Sequence, residues 1–420
     1  MAPISVTARP KNEGAAVTAA TSKNLPYLDH LAAELQIEIA KNLDKEDLRA
    51  MRRVSRSLAE NTFDVFAEKN FTNLSCRFTT RSLKITRDIS ATPQFARRVK
   101  KMEVCAGYGY KTELERLAFV PEFVFEGRAS QLHELEDVRT QKTNDALLKD
   151  IFSNFARCGT AKCVRLSVTE DVFLPAMHTL AIAANTSGHI VEELHCSIRK
   201  LPTRALEVSA EYDVRSWEHT LETAFPEVAK HSWSNLRAIH FKYPRPGNFM
   251  LYVRSALCKL IRAACSVQEL AFQAAFGHYY FWEGVRYALT ERHNLKVLRI
   301  LGDKVEELHF IDHRELRAIL SQVNHSLETL VLEDIIVASD ADDYWKETLD
   351  WLSNALSLRY LSCQNLRNTS SVLAPSWLLL DGKGNSHFEV EGSKEEVKEK
   401  LSTLVAEAGR CQELEIDCEA

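Results

Sequence analysis

Three clusters in this chain hold residue types that bind phosphate or metal, and none has the spacing that such chemistry needs. Gly107-Tyr108-Gly109-Tyr110-Lys111-Thr112 sets two glycines ahead of a Lys-Thr pair. A phosphate loop requires glycine directly before the lysine so that backbone amides can wrap the anion; Tyr110 stands there, and the segment reads as a loop. His309 and His313 are four apart and could share a helical face, yet no HExxH glutamate and no third ligand accompany them, so they read as surface histidines. Asp340, Asp342 and Asp343 lack the glycine turn and closing glutamate of a calcium loop and read as a solvated cap before a helix at Trp345. No Ser-His-Asp or Cys-His set can be assembled from the sequence. No intrinsic active site, metal or cofactor is therefore expected.

What remains is recognition, and its residues are arranged by a repeat. From Leu236 to Cys363 the chain runs five times through the phrase apolar-x-x-apolar-x-apolar, at intervals of 28 to 32 residues: Leu236/Ile239/Phe241, Val267/Leu270/Phe272, Leu295/Leu298/Ile300, Leu327/Leu330/Leu332 and Leu358/Leu361/Cys363. The gaps hold Val253, Leu257, Leu260, Ile261 and Ala264, then Leu316, Ile319, Leu320 and Val323, then Trp345, Leu349, Leu352 and Leu356, each set at the spacing of an amphipathic helix. Phe281, Val285 and Ala288 continue that spacing, so the aromatic run Tyr279–Trp282 is assigned to packing rather than to a binding platform. A strand and a helix cannot bury their apolar sides alone, so neighbouring units must stack. Phe71/Leu74/Cys76, Val99/Met102/Val104, Cys163/Leu166/Val168, Val191/Leu194/Cys196 and, last, Cys411/Leu414/Ile416 extend the pattern with looser spacing, with an irregular insertion expected at about 105–160. Ser393 with Glu396 forms a capping box for a helix carrying Val397, Leu401, Leu404, Val405 and Ala408. This pattern resembles a leucine-rich-repeat solenoid, an α/β fold with parallel strands on a concave face and helices on the convex face.

Alternation along each strand then assigns the concave face. It carries Lys101 and Glu103, Arg165 and Ser167, Glu193 and His195, His240 and Lys242, Glu269 and Gln273, Arg299, Thr329 and Glu333, Tyr360 and Gln364, and finally Glu413, Glu415 and Asp417. Mixed charge of this kind suits a protein segment better than a phosphate backbone, and His195, His240, Lys242, Arg299, Glu333 and Tyr360 are the expected target-binding residues.

Composition agrees. A net charge of -5 gives no electrostatic reason to expect nucleic acid or anionic lipid as a partner. No apolar run is long enough to span a bilayer, and the first twenty residues lack the core and cleavage pattern of a signal peptide, so a cytoplasmic or nuclear location and no membrane partner are expected. Ten cysteines without a CxxC pair, with Cys76, Cys196, Cys363 and Cys411 in apolar phrase positions, read as reduced thiols, and no disulfides are expected. Residues 1–23, rich in Ala, Thr, Lys and Pro, read as a disordered tail.

Residues 24–70 stand apart from the repeats, which occupy 71–420. Leu31, Leu35, Ile39 and Leu43 recur every four residues, Asp44 can cap the next helix, and Leu48, Met51 and Val54 carry a second apolar face. The run Leu31-Ala32-Ala33-Glu34-Leu35, followed by Ile39, Leu43, Asp47-Leu48 and Val54, resembles an F-box, with Ala32 where the family has proline. The resemblance implies a small three-helix module whose Leu31, Ala32, Leu35, Ile39, Leu43, Leu48 and Val54 grip a Skp-type adaptor protein. An F-box ahead of leucine-rich repeats further implies a non-catalytic substrate receptor of a Skp-cullin-F-box ubiquitin ligase, with an unknown target protein on the repeats. Two alternatives stay open: a repeat scaffold whose amino-terminal helices are only a cap, and a receptor completed by a small molecule in a pocket lined by His240, Lys242 and Arg299.

Overall fold

A computed structural model describes residues 28–106, 142–199, 233–243, 250–274, 279–289, 293–302, 310–338, 344–369, 376–377 and 387–418. The expected tail at 1–23, the glycine segment at 107–112, His309 and the aspartates at 340–343 lie outside them. Two compact units divide the chain, Met1–Asn70 and Phe71–Ala420. Among the described residues no helix is long and apolar enough to cross a membrane.

The first unit is helical: a short turn at Leu28–His30, then α1 (Ala33–Asn42), α2 (Lys45–Val54), α3 (Arg56–Asn61) and α4 (Phe63–Phe71), one helix more than expected. Its boundaries are chemical. Asp44 accepts from the amides of Glu46 and Asp47 at the start of α2, and Ser55 accepts from Leu58 N at the start of α3, satisfying amide donors that a helix leaves unpaired. Lys69 Nζ donates to the carbonyls of Ala40, Lys41 and Leu43 at the end of α1 (3.3, 2.6 and 2.5 Å), placing a cation at the negative end of the helix dipole. Ala40, Leu48, Met51 and Leu58 form the core, with Leu28, Ile39, Leu43, Val65 and Phe66 packed around it. Buried Gln36 ties the entry: its Nε2 donates to the Leu28 and Leu31 carbonyls, and its Oε1 accepts from Asn61 at 2.9 Å.

The second unit is a strand-helix repeat. Its main strands are β1 (Asn73–Arg77), β2 (Lys101–Ala106), β3 (Cys163–Thr169), β4 (Glu193–Arg199), β5 (Ala238–Tyr243), β6 (Glu269–Ala274), β7 (Val297–Leu301), β9 (Thr329–Glu333), β11 (Tyr360–Gln364) and β14 (His387–Glu391), in that spatial order. Every neighbouring pair is parallel except β11–β14, which is antiparallel. Between them run α5 (Thr80–Ala91), α6 (Pro93–Ala96), α7 (Lys142–Cys158), α8 (Glu170–Ser187), α9 (Met250–Ala263), α10 (Tyr279–Ala288), α11 (His313–Val323) and α12 (Tyr344–Ala355), followed by α13 (Lys394–Cys418). Neighbouring helices touch in the succession α5, α7, α8, α9, α10, α11, α12, α13, so each repeat is closed by the next. One apolar cluster runs from Leu74 to Leu404 between helices and sheet. Phe281 and Trp282 lie in it edge-on to Phe272, as the packing assignment of that aromatic run requires.

Register defines the repeat. Met102, Val164, Leu194, Ile239, Leu270, Leu298, Leu330 and Leu361 are successive partners across the sheet, all pointing inward. The middle residue of each expected phrase from Leu74 to Leu361 sits in this row except in β3, where the row holds Val164 rather than Leu166. The true third phrase is thus Ala161/Val164/Leu166, two residues earlier than the sequence suggested. A shift of two preserves the face of the residues that the apparent phrase already placed within the strand, so Arg165 and Ser167 keep their outward assignment. Cys163, assigned to the interior, moves to the open face.

Polar groups pin the turns that enter the strands. His189 Nε2 lies 3.2 Å from the Ala161 carbonyl, His293 Nε2 3.0 Å from Ile261 O, Ser326 Oγ 2.9 Å from Leu295 O, and Thr160 Oγ1 2.9 Å from Ala96 O. Each reaches back toward the corresponding turn of the preceding repeat. A carbonyl only accepts, so the imidazole nitrogens here are the protonated donors. After β7, β9 and β11 the chain turns at Gly302, Asp334 and Asn365. Asp334 and Asn365 adopt φ of 53° and 52°, a left-handed conformation that Asp and Asn tolerate, and Asn365 Nδ2 donates to Asp334 Oδ1 at 2.7 Å. A Cβ on Gly302 would lie 2.2 Å from the Asp334 carbonyl oxygen, which restricts that position to glycine. These turns lead into a second sheet, β8 (Phe310–Asp312), β10 (Ile336–Ala338), β12 (Arg367–Thr369) and β13 (Ser376–Trp377), in the order β13-β12-β10-β8.

Two expectations about the repeat unit change. α7 is a regular helix with Leu147, Leu148, Ile151, Phe152 and Phe155 in the core, so the irregular insertion expected at about 105–160 does not hold for Lys142–Cys158, while 107–141 lie outside the described residues. Cys411/Leu414/Ile416 is not a strand: α13 runs through it to Cys418, and Glu413, Glu415 and Asp417 leave the sheet face with it. The spacing apolar-x-x-apolar also matches one helical turn, and the Ser393–Glu396 capping box launches the helix, with reciprocal bonds of 2.7 and 3.3 Å. The terminal sheet position is taken instead by β14, where only Phe388 and Val390 alternate with polar residues.

Candidate recognition face

Opposite the helices, outward residues of the main sheet form three rows. The first runs Asn73, Lys101, Cys163, Glu193, Ala238, Glu269, Val297, Thr329, Tyr360, Glu391. In the second come Ser75, Glu103, Arg165, His195, His240, Ala271, Arg299, Val331, Ser362 and Glu389. Lys242, Gln273, Leu301, Glu333, Gln364 and His387 lie in the third.

All six expected target-binding residues lie on this face, but not as one group. His195 and His240 are register partners, and their rings stack at 4.3 Å with an interplanar angle of 22°. His240 Nε2 lies 3.5 Å from Glu269 Oε1, and Arg299 Nε reaches the same oxygen at 3.4 Å, because the small Ala271 between them in the second row leaves Glu269 open to both sides. Lys242 is exposed one row beyond. Tyr360 stands apart on β11, donating its hydroxyl to Glu389 Oε1 at 2.8 Å, with His387 Nε2 3.5 Å from the other carboxylate oxygen. Glu333 lies on β9 in the opposite outer row.

At β3–β4 the first row holds a nearly covered thiol. Cys163 is 7% exposed, and burial pushes its thiol up to about 11, with Glu193 beside it adding to the rise. Burial lowers the pKa of His195, and the positive surroundings of His240 and Arg165 act the same way, against Glu193. Burial also lowers His240, opposed by Glu269 and Glu193. Both rings are consequently biased toward the neutral form, with lone pairs free to accept or to ligate. His195 Nε2 and Glu193 Oε2 are 3.6 Å apart, beyond hydrogen-bonding reach, and that buried nitrogen has no hydrogen-bond partner among the described residues. Sequence reasoning placed His195 here but missed Cys163; spacing offered no signal, since the intervals to Val191 from Cys163 and from Ala161, 28 and 30 residues, both fit the repeat.

A separate cleft, lined by Thr79, Thr80, Arg81, Lys84, Ile85, Asp88 and Asn144, lies at the α5–α7 helices and not at His240, Lys242 and Arg299.

In the helical unit, the seven residues expected to meet an adaptor divide by exposure. Leu35 and Val54 are 54% and 71% exposed, and Ala32 is exposed as well. Leu31, Ile39 and Leu43 are partly covered. Leu48 is fully buried in the unit's own core, so it supports the surface from beneath and offers no contact area, which corrects its expected role. Ala32 holds φ −55° and ψ 146°, the backbone that proline would impose, without a proline. No family model matches the sequence, and no curated protein matches it.

Proposed function

We propose that this chain is a non-catalytic substrate receptor of a Skp-cullin-F-box ubiquitin ligase, with the helical unit as an F-box docking a Skp-type adaptor and the open face of a leucine-rich-repeat solenoid holding a target protein. The observation that carries the reading is the exposure of Leu35 and Val54 in a unit whose core is already closed by Ala40, Leu48, Met51 and Leu58. Branched apolar side chains left in water at helix surfaces gain free energy when a partner covers them, about 25 cal/mol per Å² of apolar area removed from solvent. The open face supports the second half of the reading. Its mixed charges, Arg165 and Lys242 together with Glu193 and Glu269 on the same face, form a strip that selects a protein segment by charge pattern. Catalysis is then positional: holding a target near a ubiquitin-loaded enzyme raises the effective concentration of its lysines, with no acid, base or nucleophile from this chain.

The test is capture of a purified Skp-type adaptor by the full chain, wild type against Leu35→Asp/Val54→Asp. Both positions are exposed, so the double variant keeps its fold within about 0.5 kcal/mol. Wild type binds at micromolar adaptor or tighter, and the variant loses at least about tenfold, roughly 1.4 kcal/mol. A wild-type chain that ignores the adaptor at micromolar concentration would remove this reading.

A further inference from the structure

We infer that Cys163, Glu193 and His195 form a binding site for one borderline-soft divalent transition metal of the zinc class, on the open face of the sheet at β3–β4. The backbone makes the cluster. Cys163 and Glu193 are register partners on adjacent parallel strands, and His195, two residues beyond Glu193, projects from the same face. Cys163 Sγ, a Glu193 carboxylate oxygen and a His195 ring nitrogen all lie within 4.8 Å of one another. Bonds of about 2.3 Å to sulfur and about 2.0–2.1 Å to nitrogen and oxygen, at tetrahedral angles, put ligand atoms roughly 3.3–3.6 Å apart. The His195–Glu193 separation of 3.6 Å already meets that requirement, and small side-chain rotations bring in the sulfur.

Three further observations point to a ligand rather than to incidental neighbours. His195 Nε2 is buried without a hydrogen-bond partner among the described residues, in a structure where His189 and His293 each find a carbonyl. His195 is stacked on His240 at 4.3 Å, which fixes the ring plane and keeps the nitrogen aimed at the cluster. Cys163 is nearly covered yet outside the apolar core cluster, with Glu193 as its register partner on the open face. Thiolate, imidazole and carboxylate together suit zinc, whereas a magnesium or calcium site would be built from oxygen alone. Thiolate and carboxylate together carry the two negative charges that a dication neutralises, and Lys101 and Arg165, the register neighbours on β2 and β3, add positive charge beside them. On binding, the Cys163 S–H bond breaks, its proton passes to solvent, and the sulfur lone pair forms the bond to the metal. Three protein ligands leave the fourth position open on the same face as His240 and Arg299. The inference stands whether or not the chain serves a ubiquitin ligase.

Purified, reduced full-length chain is dialysed against Zn²⁺ at micromolar concentration, and in parallel titrated with Co²⁺ while the near-ultraviolet absorption is recorded. The expected result is one equivalent of zinc and a thiolate-to-cobalt charge-transfer band. Cys163→Ser abolishes the band, and Glu193→Gln and His195→Asn each weaken zinc binding at least about tenfold, while Cys265→Ser, at an exposed cysteine elsewhere, changes neither readout. Glu193 is about half exposed, so its variant stays folded and keeps the test decisive even where Cys163→Ser loosens the sheet. Less than stoichiometric zinc at micromolar concentration, a band that survives Cys163→Ser, or affinity unchanged by Glu193→Gln and His195→Asn would each overturn the site.

Discussion

The helical unit and the sheet unit solve burial differently. Four small and medium side chains, Ala40, Leu48, Met51 and Leu58, close the helical core, and two large apolar residues remain in water. The sheet unit keeps a single apolar cluster along its strands, because every repeat hands its bare side to the next, and its open face mixes charged and polar residues with apolar ones such as Val297, Leu301 and Val331. A short unit has too little interior to absorb all its apolar residues, whereas a repeat array gains interior with each unit added. Exposed apolar residues therefore carry more information in the first unit, and exposed polar clusters carry more in the second.

The comparison can be broken most directly by paired cavities. Leu58→Ala and Leu298→Ala each remove a fully buried leucine and cost about 3 kcal/mol. All six tryptophans lie beyond residue 71, so tryptophan fluorescence reports only the sheet unit while circular dichroism reports both. Leu58→Ala lowers the denaturation midpoint of helical signal and leaves the fluorescence midpoint in place; Leu298→Ala shifts the fluorescence. A common transition for both variants and both probes would mean that the two units fold as one.

Acid sharpens the comparison from the sheet side. His189 is buried against Phe152, at 4.9 Å between ring centroids, and burial takes its pKa down to about 4. The unfolded chain, near 6.5, binds more protons than the folded one between those values, so stability falls as pH drops from about 6.5 to about 4 and is flat below. The loss attributable to this ring is about 3 kcal/mol, and His189→Gln, which keeps a donor for the Ala161 carbonyl, flattens that part of the profile in urea titrations followed by fluorescence. An unchanged slope would remove His189 as its source.

Smaller effects test the caps. Ser393→Ala breaks one half of the capping box and costs about 1 kcal/mol, read as fraying of α13 by amide exchange rather than as a shift of the central strands. Ala32→Pro places proline where φ is already −55° and raises the midpoint of the helical unit by about 0.5 kcal/mol, through the unfolded chain alone. Destabilisation would mean that the residue before it cannot take the extended backbone that proline demands.

Much of the fold was legible in sequence because strand and helix periods differ and recur. The five regular phrases from Leu236 to Cys363, the capping box at Ser393 and the packing role of Phe281 and Trp282 follow from spacing alone, since each is decided within one repeat. Cys411/Leu414/Ile416 was misread because its spacing serves both periods, and Leu48 took its surface role from the F-box resemblance, since helical spacing shows only that it is apolar and not which side another helix will cover.

By itself, then, the sequence determined the alternation of strand and helix, the inward and outward parity along each strand, and hence that His195, His240, Lys242, Arg299, Glu333 and Tyr360 share a face. Only the tertiary structure decided which of them meet. Hydrogen-bond register between strands set β3 two residues from its apparent phrase, stacked His195 on His240, let Glu269 hold both His240 and Arg299, and brought Cys163 beside Glu193. Register is a relation between residues some thirty positions apart, fixed by the sum of backbone pairing and side-chain packing across two repeats, and no local pattern encodes that sum.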